Sequence, residues 1–256
     1  MKSLCAFLKK EWMDLVRSGR FMVLFIIFLL LGIMNPAIAK ITPWLMETMA
    51  ESLEETGLMV TEVTVDAMTS WTQFFKNVPM GLIAFVLISS NLFTKEYEAG
   101  TLILVLTKGI ERYKVIMAKF FILLLTWSAG YWLCFGVTYG YNAYFWDNSV
   151  AQNLTEAVVL WWLVGIFTVA LMVLFSTISK NSTGVLLGTG GVFVVSYVAS
   201  MIPKLSKFVP TRLMNTTQLL AGMEEPKEYV ASLLVVGVIS VFCMFFSIPI
   251  MNKKKI

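Results

Sequence analysis

Six long apolar stretches dominate this 256-residue chain and restrict it to one structural class. A helix needs about 20 mainly apolar residues to cross roughly 30 Å of hydrocarbon, and each stretch is close to that length. Only 14% of the residues are charged, against about 25% in ordinary soluble domains. The sequence therefore predicts an all-α membrane protein with six transmembrane helices, at Phe21–Ala39, Trp71–Phe93, Ile116–Tyr141, Ala157–Ile178, Gly184–Ile202 and Tyr229–Met251.

Lysine and arginine are distributed unevenly between the two sides of these spans. Residues 1–20, 94–115, 180 and 253–255 together carry thirteen of them, whereas the segments on the opposite side carry six. Because cytoplasmic loops are enriched in basic residues, the asymmetry predicts a multi-pass protein of the cell membrane with both termini in the cytoplasm. The even number of spans agrees with this orientation.

The spans themselves contain few ionisable groups. Within the bounds given above they hold two charged residues, Lys76 in span two and Lys119 in span three. Lys76 precedes the continuous apolar run of span two, which begins at Pro79, and we interpret Lys119 as a side chain that reaches the nearby cytoplasmic surface. Gradient-driven transporters keep such groups near the membrane midplane, so a self-contained ion-coupled pump is not expected. The chain also has no histidine, no paired cysteines and no phosphate-binding loop, and no metal site or catalytic set is expected.

The segments outside the spans carry three further predictions. Residues 1–20 form an amphipathic helix on the membrane surface, whose apolar face is interrupted by Glu11. That carboxylate either reaches water or pairs with a basic residue of a neighbouring loop or subunit. Residues 40–70 are acidic and form either an amphipathic helix or a solvated loop on the outer side. Residues 203–228 form an outer segment before span six.

The cytoplasmic loop at 94–115 contains an unexpected apolar run. Residues 102–106 are all aliphatic, Gly100 precedes them and Gly109 follows them. Glycine allows the left-handed backbone that ends helices, so the pattern predicts a short helix just below the membrane. Its apolar side chains need either a partner surface or packing against the ends of the spans.

These features resemble the ABC-2 type permeases, the membrane subunits of bacterial ABC exporters. The resemblance rests on residues 98–102 (Glu-Ala-Gly-Thr-Leu), on residues 109–112 (Gly-Ile-Glu-Arg), and on the topology over nearly the whole chain. The N-terminal Lys10-Glu11 pair with Arg17 is similar to the interface helix of that family. The chain departs from the family pattern where Gly109, Glu111 and Ala118 replace proline, serine and glycine.

The resemblance implies a permease that binds a separate cytoplasmic ATPase and a second permease copy, identical or paralogous. ATP and magnesium belong to the ATPase, so this chain is expected to hold no cofactor. The resemblance also implies that the chain acts among the lipids of a bacterial plasma membrane and binds no nucleic acid. Residues 203–228 then correspond to a re-entrant outer segment, and residues 21–256 form one six-span domain. The implied ATPase-coupling residues, on the coupling helix and beside it, are Glu98, Gly100, Thr101, Leu102, Ile103, Leu106 and Arg112.

The resemblance defines the class of transporter more closely than it defines the substrate. Aromatic and aliphatic walls favour an amphipathic peptide, a lipid or a hydrophobic drug over a small ion, and Trp127, Tyr131 and Phe135 are the candidates for lining the path. Two alternatives remain open at this stage. One is a non-transporting scaffold or immunity-type protein that sequesters a peptide on its acidic outer segment, and the other is an intramembrane enzyme.

Overall fold

The computed structural model describes residues 2–54, 65–107 and 109–254, and everything below refers to these residues. Ten α-helices and three short 3₁₀ turns occur within them. The helices are α1 (Lys2–Arg17), α2 (Arg20–Glu54), α3 (Ala67–Ser89), α4 (Asn91–Glu98), α5 (Thr101–Thr107), α6 (Arg112–Phe145), α7 (Leu154–Ile178), α8 (Ser182–Ser200), α9 (Thr217–Leu220) and α10 (Val230–Lys253).

Six candidate membrane spans occur in the described part of the chain. They are formed by α2, α3 with α4, α6, α7, α8, and α10 with the turn before it. The all-helical, six-span fold predicted from the sequence is therefore confirmed. Because the spans alternate in direction, the N-terminal helix and the end of α10 lie on one side of the bundle. We call this the terminal side, and the opposite side the far side.

The spans pack as two groups that meet at α7. Helices α2, α3 and α6 contact one another along their lengths, and α7 packs against α6, α8 and α10. Helix α7 is apolar on every face and mostly buried, as a central helix must be. In contrast, α8 and α10 expose apolar side chains such as Val195 (69%) and Val241 (70%). These faces suit lipid or another apolar surface.

The far side holds the segments predicted to lie outside the membrane. Helix α2 runs unbroken to Glu54, so the first part of the acidic segment continues span one, while residues 55–64 lie outside the described part of the chain. Within residues 203–228, the turn Pro210–Met214 packs between α7, α8 and α10, and Leu213, Leu219 and Leu220 are fully buried. Short buried helical turns therefore pack against α7, α8 and α10 on this side, and their re-entrant character stays a prediction.

Candidate functional site

A buried cluster of charges lies at the terminal side of the bundle, centred on Lys119. Its ammonium nitrogen lies 3.0 Å from Glu11 Oε2, 2.9 Å from Glu96 Oε2 and 2.8 Å from the carbonyl oxygen of Leu92. Only 1% of the Lys119 side chain is exposed. The sequence-based interpretation that Lys119 reaches the membrane surface is therefore wrong. Two carboxylates from neighbouring helices stabilise the buried ammonium group in place of the water that would otherwise solvate it.

Lys10 is the second cation of this cluster. Its ammonium nitrogen contacts Glu96 Oε1, lies 2.9 Å from Glu11 Oε1 and lies 3.1 Å from Asp14 Oδ2. Partial burial favours a lower pKa, but the hydrogen bonds to Glu96 and Glu11 outweigh it and raise the pKa of Lys10 above its ordinary value. Lys10 is therefore charged at neutral pH. Of the two sequence-based interpretations of Glu11, the structure supports the ion pair, formed within the same chain.

The cluster connects three helices that are distant in sequence. Glu11 belongs to α1, Glu96 to the continuation of span two, and Lys119 to the second turn of span three. Removing one partner of a buried ion pair leaves the other charge buried and unpaired, which costs about 3–5 kcal/mol. These helices therefore cannot separate at this point without a large energetic penalty.

The predicted short helix follows directly as α5. Gly100 (φ +64°) and Gly109 (φ +80°) flank it in the left-handed region that favours glycine. Leu102 is 2% exposed and packs in the hydrophobic core of the same chain, whereas Ile103 is 45% exposed. The expectation that Leu102 and Ile103 are both available to a partner is therefore wrong for Leu102, which packs inside its own chain. The side chains of Glu98 and Leu106 lie outside the described part of the structure.

Arg112, another predicted coupling residue, binds the end of the last span. Its Nη1 donates to the carbonyl oxygens of Met251, Asn252 and Lys254, the last two at 3.1 Å. A guanidinium at the C-terminus of a helix satisfies free carbonyls and complements the helix dipole. Lys254 extends this contact, because its Nζ donates to the Ser179 carbonyl oxygen at 2.7 Å. We call these contacts the Arg112 clasp.

Comparisons with known proteins assign the chain to a class. The family described as ABC-2 family transporter protein matches residues 5–221. The chain belongs to the ABC-2 transporter family. It is also 23% identical over 227 residues to YxlG of Bacillus subtilis (strain 168), an uncharacterised transmembrane protein, and the match spans 85% of this chain and 84% of YxlG. No solved structure matches the chain.

Membership of the ABC-2 family defines the general role of the chain. The chain is a membrane component of a transporter and not its ATPase, and the family implies association with an ABC ATPase subunit. Among residues 2–54, 65–107 and 109–254, no three Cys, Asp or Glu side chains form a group that could hold a metal ion. In the charged cluster of this ABC-2 protein, Lys10 and Lys119 pair with Glu11 and Glu96.

The proposed path residues of this ABC-2 protein lie inside its core. Trp127 and Tyr131 are fully buried and stacked at 5.3 Å, and their polar atoms donate to the backbone oxygens of Trp162 (3.1 Å) and Val158 (2.7 Å). Phe135 is partly buried against the same aromatic cluster. Contact with a substrate at Trp127 or Tyr131 would require the helices to separate, so this role stays a prediction.

An apolar cavity lies elsewhere, between α3 and α8. Its volume is about 370 Å³, and it is lined by aliphatic side chains of both helices and by Phe193. The buried hydroxyl of Thr189 lines it too and has no hydrogen-bond partner among the described residues. The sequence alone did not indicate this cavity, because nothing in the chain shows that spans two and five lie close together.

A polar network in the far half of the bundle was also missed by sequence reasoning. Asn77 Nδ2 donates to Asn35 Oδ1 at 2.8 Å, Asn35 Nδ2 donates to Thr138 Oγ1 at 3.3 Å, and Thr138 donates to the Gly32 carbonyl oxygen at 3.0 Å. All three side chains are buried. The sequence does carry a signal for this network, since amide side chains are rare in apolar spans and form hydrogen bonds between helices.

Proposed function

We propose that this protein is the permease subunit of an ATP-driven exporter in a bacterial plasma membrane. Two permease copies, identical or paralogous, form the path, and a separate cytoplasmic ATPase binds the terminal side. The basic residues concentrated on that side support the cytoplasmic orientation. The sequence supplies no phosphate-binding loop of its own, so hydrolysis takes place in the partner.

One observation carries the proposal: Lys119 in span three holds carboxylates from α1 and from the helix that leads into α5. A displacement of α1 or α5 therefore moves α6 with it, because breaking either ion pair costs several kcal/mol. In this proposal α1 is the interface helix and α5 is the coupling helix. The charged cluster transmits nucleotide-driven motion of the ATPase to the spans.

The orientation of α5 supports its role as the docking element. Leu102 anchors the helix in the core, while Ile103, the next residue, is 45% exposed on the terminal side. An exposed aliphatic side chain on a short helix that is anchored by Leu102 and flanked by glycines is suited to a hydrophobic groove on a partner. This arrangement separates the anchoring side chain from the docking side chain.

The substrate class follows from the cavity between α3 and α8. Its apolar lining and volume of about 370 Å³ suit part of an apolar or amphipathic molecule. We propose an amphipathic peptide, a lipid or a hydrophobic drug as the exported molecule. The exposed apolar faces of α8 and α10 leave this side of the bundle open to the membrane or to the second copy.

The docking role is tested with Ile103→Asp in a complex purified on a tagged ATPase. We expect this variant to insert and fold normally but to lose the ATPase, because a hydrophobic groove cannot accept an unpaired carboxylate. Ile103→Val, the matched control, keeps an aliphatic surface and is expected to retain the ATPase. Leu102→Asp is expected to lose folded protein instead, since that side chain is buried.

The transmission role is tested separately with Glu11→Gln. This variant keeps α5 unchanged, so ATPase binding is expected to persist while substrate-stimulated ATP hydrolysis falls more than the yield of folded protein. Equal losses of hydrolysis and folded protein would reduce the cluster to a structural role. If Ile103→Asp retained the ATPase as tightly as Ile103→Val, α5 would not be the docking element, and a non-transporting scaffold would become the better description.

A further inference from the structure

A second feature of the terminal side is a charged cavity of about 460 Å³ beside the cluster. It lies between α1, the start of α2, α4 and the start of α5. Its volume is within the range of about 300–1,000 Å³ that is typical of ligand sites. The buried side chains of Leu15 and Leu92 form part of its wall. The cavity therefore has both a charged rim and an apolar part.

The charges that line this cavity do not balance. The lining includes five cations, Lys10, Arg17, Arg20, Lys95 and Lys119, and three carboxylates, Glu11, Asp14 and Glu96, which leaves a charge of +2. Lys10 and Lys119 are engaged with those carboxylates. Arg17, Arg20 and Lys95 form no ion pair with any described residue. Three cations thus line the cavity without an ion-pair partner in the described part of the chain.

The position of these cations points to the membrane surface. Arg20 begins span one, and Lys95 lies three residues before the end of α4, on the continuation of span two. Gly19, with φ +73°, precedes α2 and offers no side chain to cap its first N–H groups. The positive end of α2 lies beside the negative end of α1, which ends at Arg17, so the two helix dipoles oppose each other and the positive charge comes from the side chains. The ends of membrane spans lie at the depth of the lipid headgroups, where the lipid phosphates are found.

We propose that this cavity binds a phosphate group, presented by an anionic phospholipid of the leaflet on the terminal side. Arg17, Arg20 and Lys95 contact the phosphate oxygens, and Leu15 and Leu92 contact the apolar part of the lipid. The bound lipid then connects α1, α2 and α4 through Arg17, Arg20 and Lys95, so its presence stabilises the arrangement of these helices. This inference does not depend on an ATPase partner.

The test uses the full chain in nanodiscs that contain equal amounts of phosphatidylglycerol and phosphatidylcholine. Native mass spectrometry of the released protein is expected to show one phosphatidylglycerol retained in preference to phosphatidylcholine. The triple variant Arg17→Gln/Arg20→Gln/Lys95→Gln is expected to lower this retention about tenfold or more, because each basic side chain contributes to attraction of an anionic lipid. Its thermal stability without phosphatidylglycerol should match that of the native protein.

The matched control is Lys9→Gln/Lys180→Gln/Lys253→Gln. These exposed residues lie on the same side but outside the cavity, and their replacement changes the net charge by the same amount. The control should retain the lipid. Equal loss of lipid in both triple variants would overturn the proposal, since it would indicate unspecific attraction. Displacement of the lipid by millimolar inorganic phosphate would show that the cavity binds a free anion, and it would overturn the proposal that a lipid supplies the phosphate group.

A third outcome concerns the partner protein. If the cavity variant retained phosphatidylglycerol normally but released the ATPase, the three cations would face an acidic surface of that subunit. The lipid proposal would then be wrong. Because the docking test at Ile103 uses a different helix face and a different readout, its failure would leave the lipid measurement unaffected.

Discussion

Replacing Lys119 with methionine tests whether the buried cluster holds the terminal side together. Methionine keeps the length and the packing of the side chain but removes the charge, so Glu11 and Glu96 lose the cation that lies 3.0 and 2.9 Å from them. Lys10 remains, but it is 39% exposed and already shared with Asp14. Because the carboxyl of Glu11 is 2% exposed, we expect a loss of about 3–5 kcal/mol in the free energy of unfolding.

The control lies five residues earlier on the same helix. Lys114 pairs with Glu111 at 2.7 Å, but the Glu111 side chain is 58% exposed, so water screens the pair and Lys114→Met should leave the free energy of unfolding almost unchanged. Reversible unfolding in mixed micelles with increasing dodecyl sulfate, followed by tryptophan fluorescence, measures both variants. The double variant Lys119→Met/Glu11→Gln should recover part of the loss. A cost for Lys119→Met equal to that of Lys114→Met would refute the reasoning.

Three further predictions rest on other contacts. Gly165→Ala would place a methyl group 1.8 Å from the Trp127 ring, so it should lower the free energy of unfolding by about 1–3 kcal/mol. The control is Gly136→Ala, whose methyl group meets nothing within 4 Å and should leave the free energy of unfolding unchanged or higher. Arg112→Gln should expose the end of α10 and accelerate amide hydrogen exchange there. In a background without the native cysteines, a cysteine at residue 150 should label from outside intact cells and one at residue 180 only after permeabilisation; the opposite pattern would reverse the proposed orientation.

The fold was predictable from the sequence because a membrane imposes strict rules on length and polarity. Apolar stretches of about 20 residues have one stable solution in hydrocarbon, and all six spans were found where the sequence predicted them. The ends of α5 were also predictable, since Gly100 and Gly109 adopt the left-handed backbone that glycine favours. These are local signals, carried by neighbouring residues.

The site was only partly predictable, because its partners are distant in sequence. Lys119 appeared to be a side chain that reaches water, since nothing near it in the chain indicates that Glu11, 108 residues away, lies beside it. Arg112 was assigned to an external partner for the same reason, although its acceptors lie 139–142 residues further on. Leu102 and Ile103 are adjacent aliphatic residues that look alike in the sequence. Only tertiary packing shows that Leu102 is buried and Ile103 is exposed.

The buried amides of Asn35 and Asn77 have a mechanical consequence for the transporter. In hydrocarbon their hydrogen bonds cannot be exchanged for bonds to water, so these contacts resist separation of α2, α3 and α6, and we treat the three helices as one body. The Arg112 clasp joins the base of this body to the end of α10 on the terminal side. A hinge at the clasp would let the remaining spans swing away most widely at the far side. The apolar cavity between α3 and α8 lies on the seam that such a swing would open.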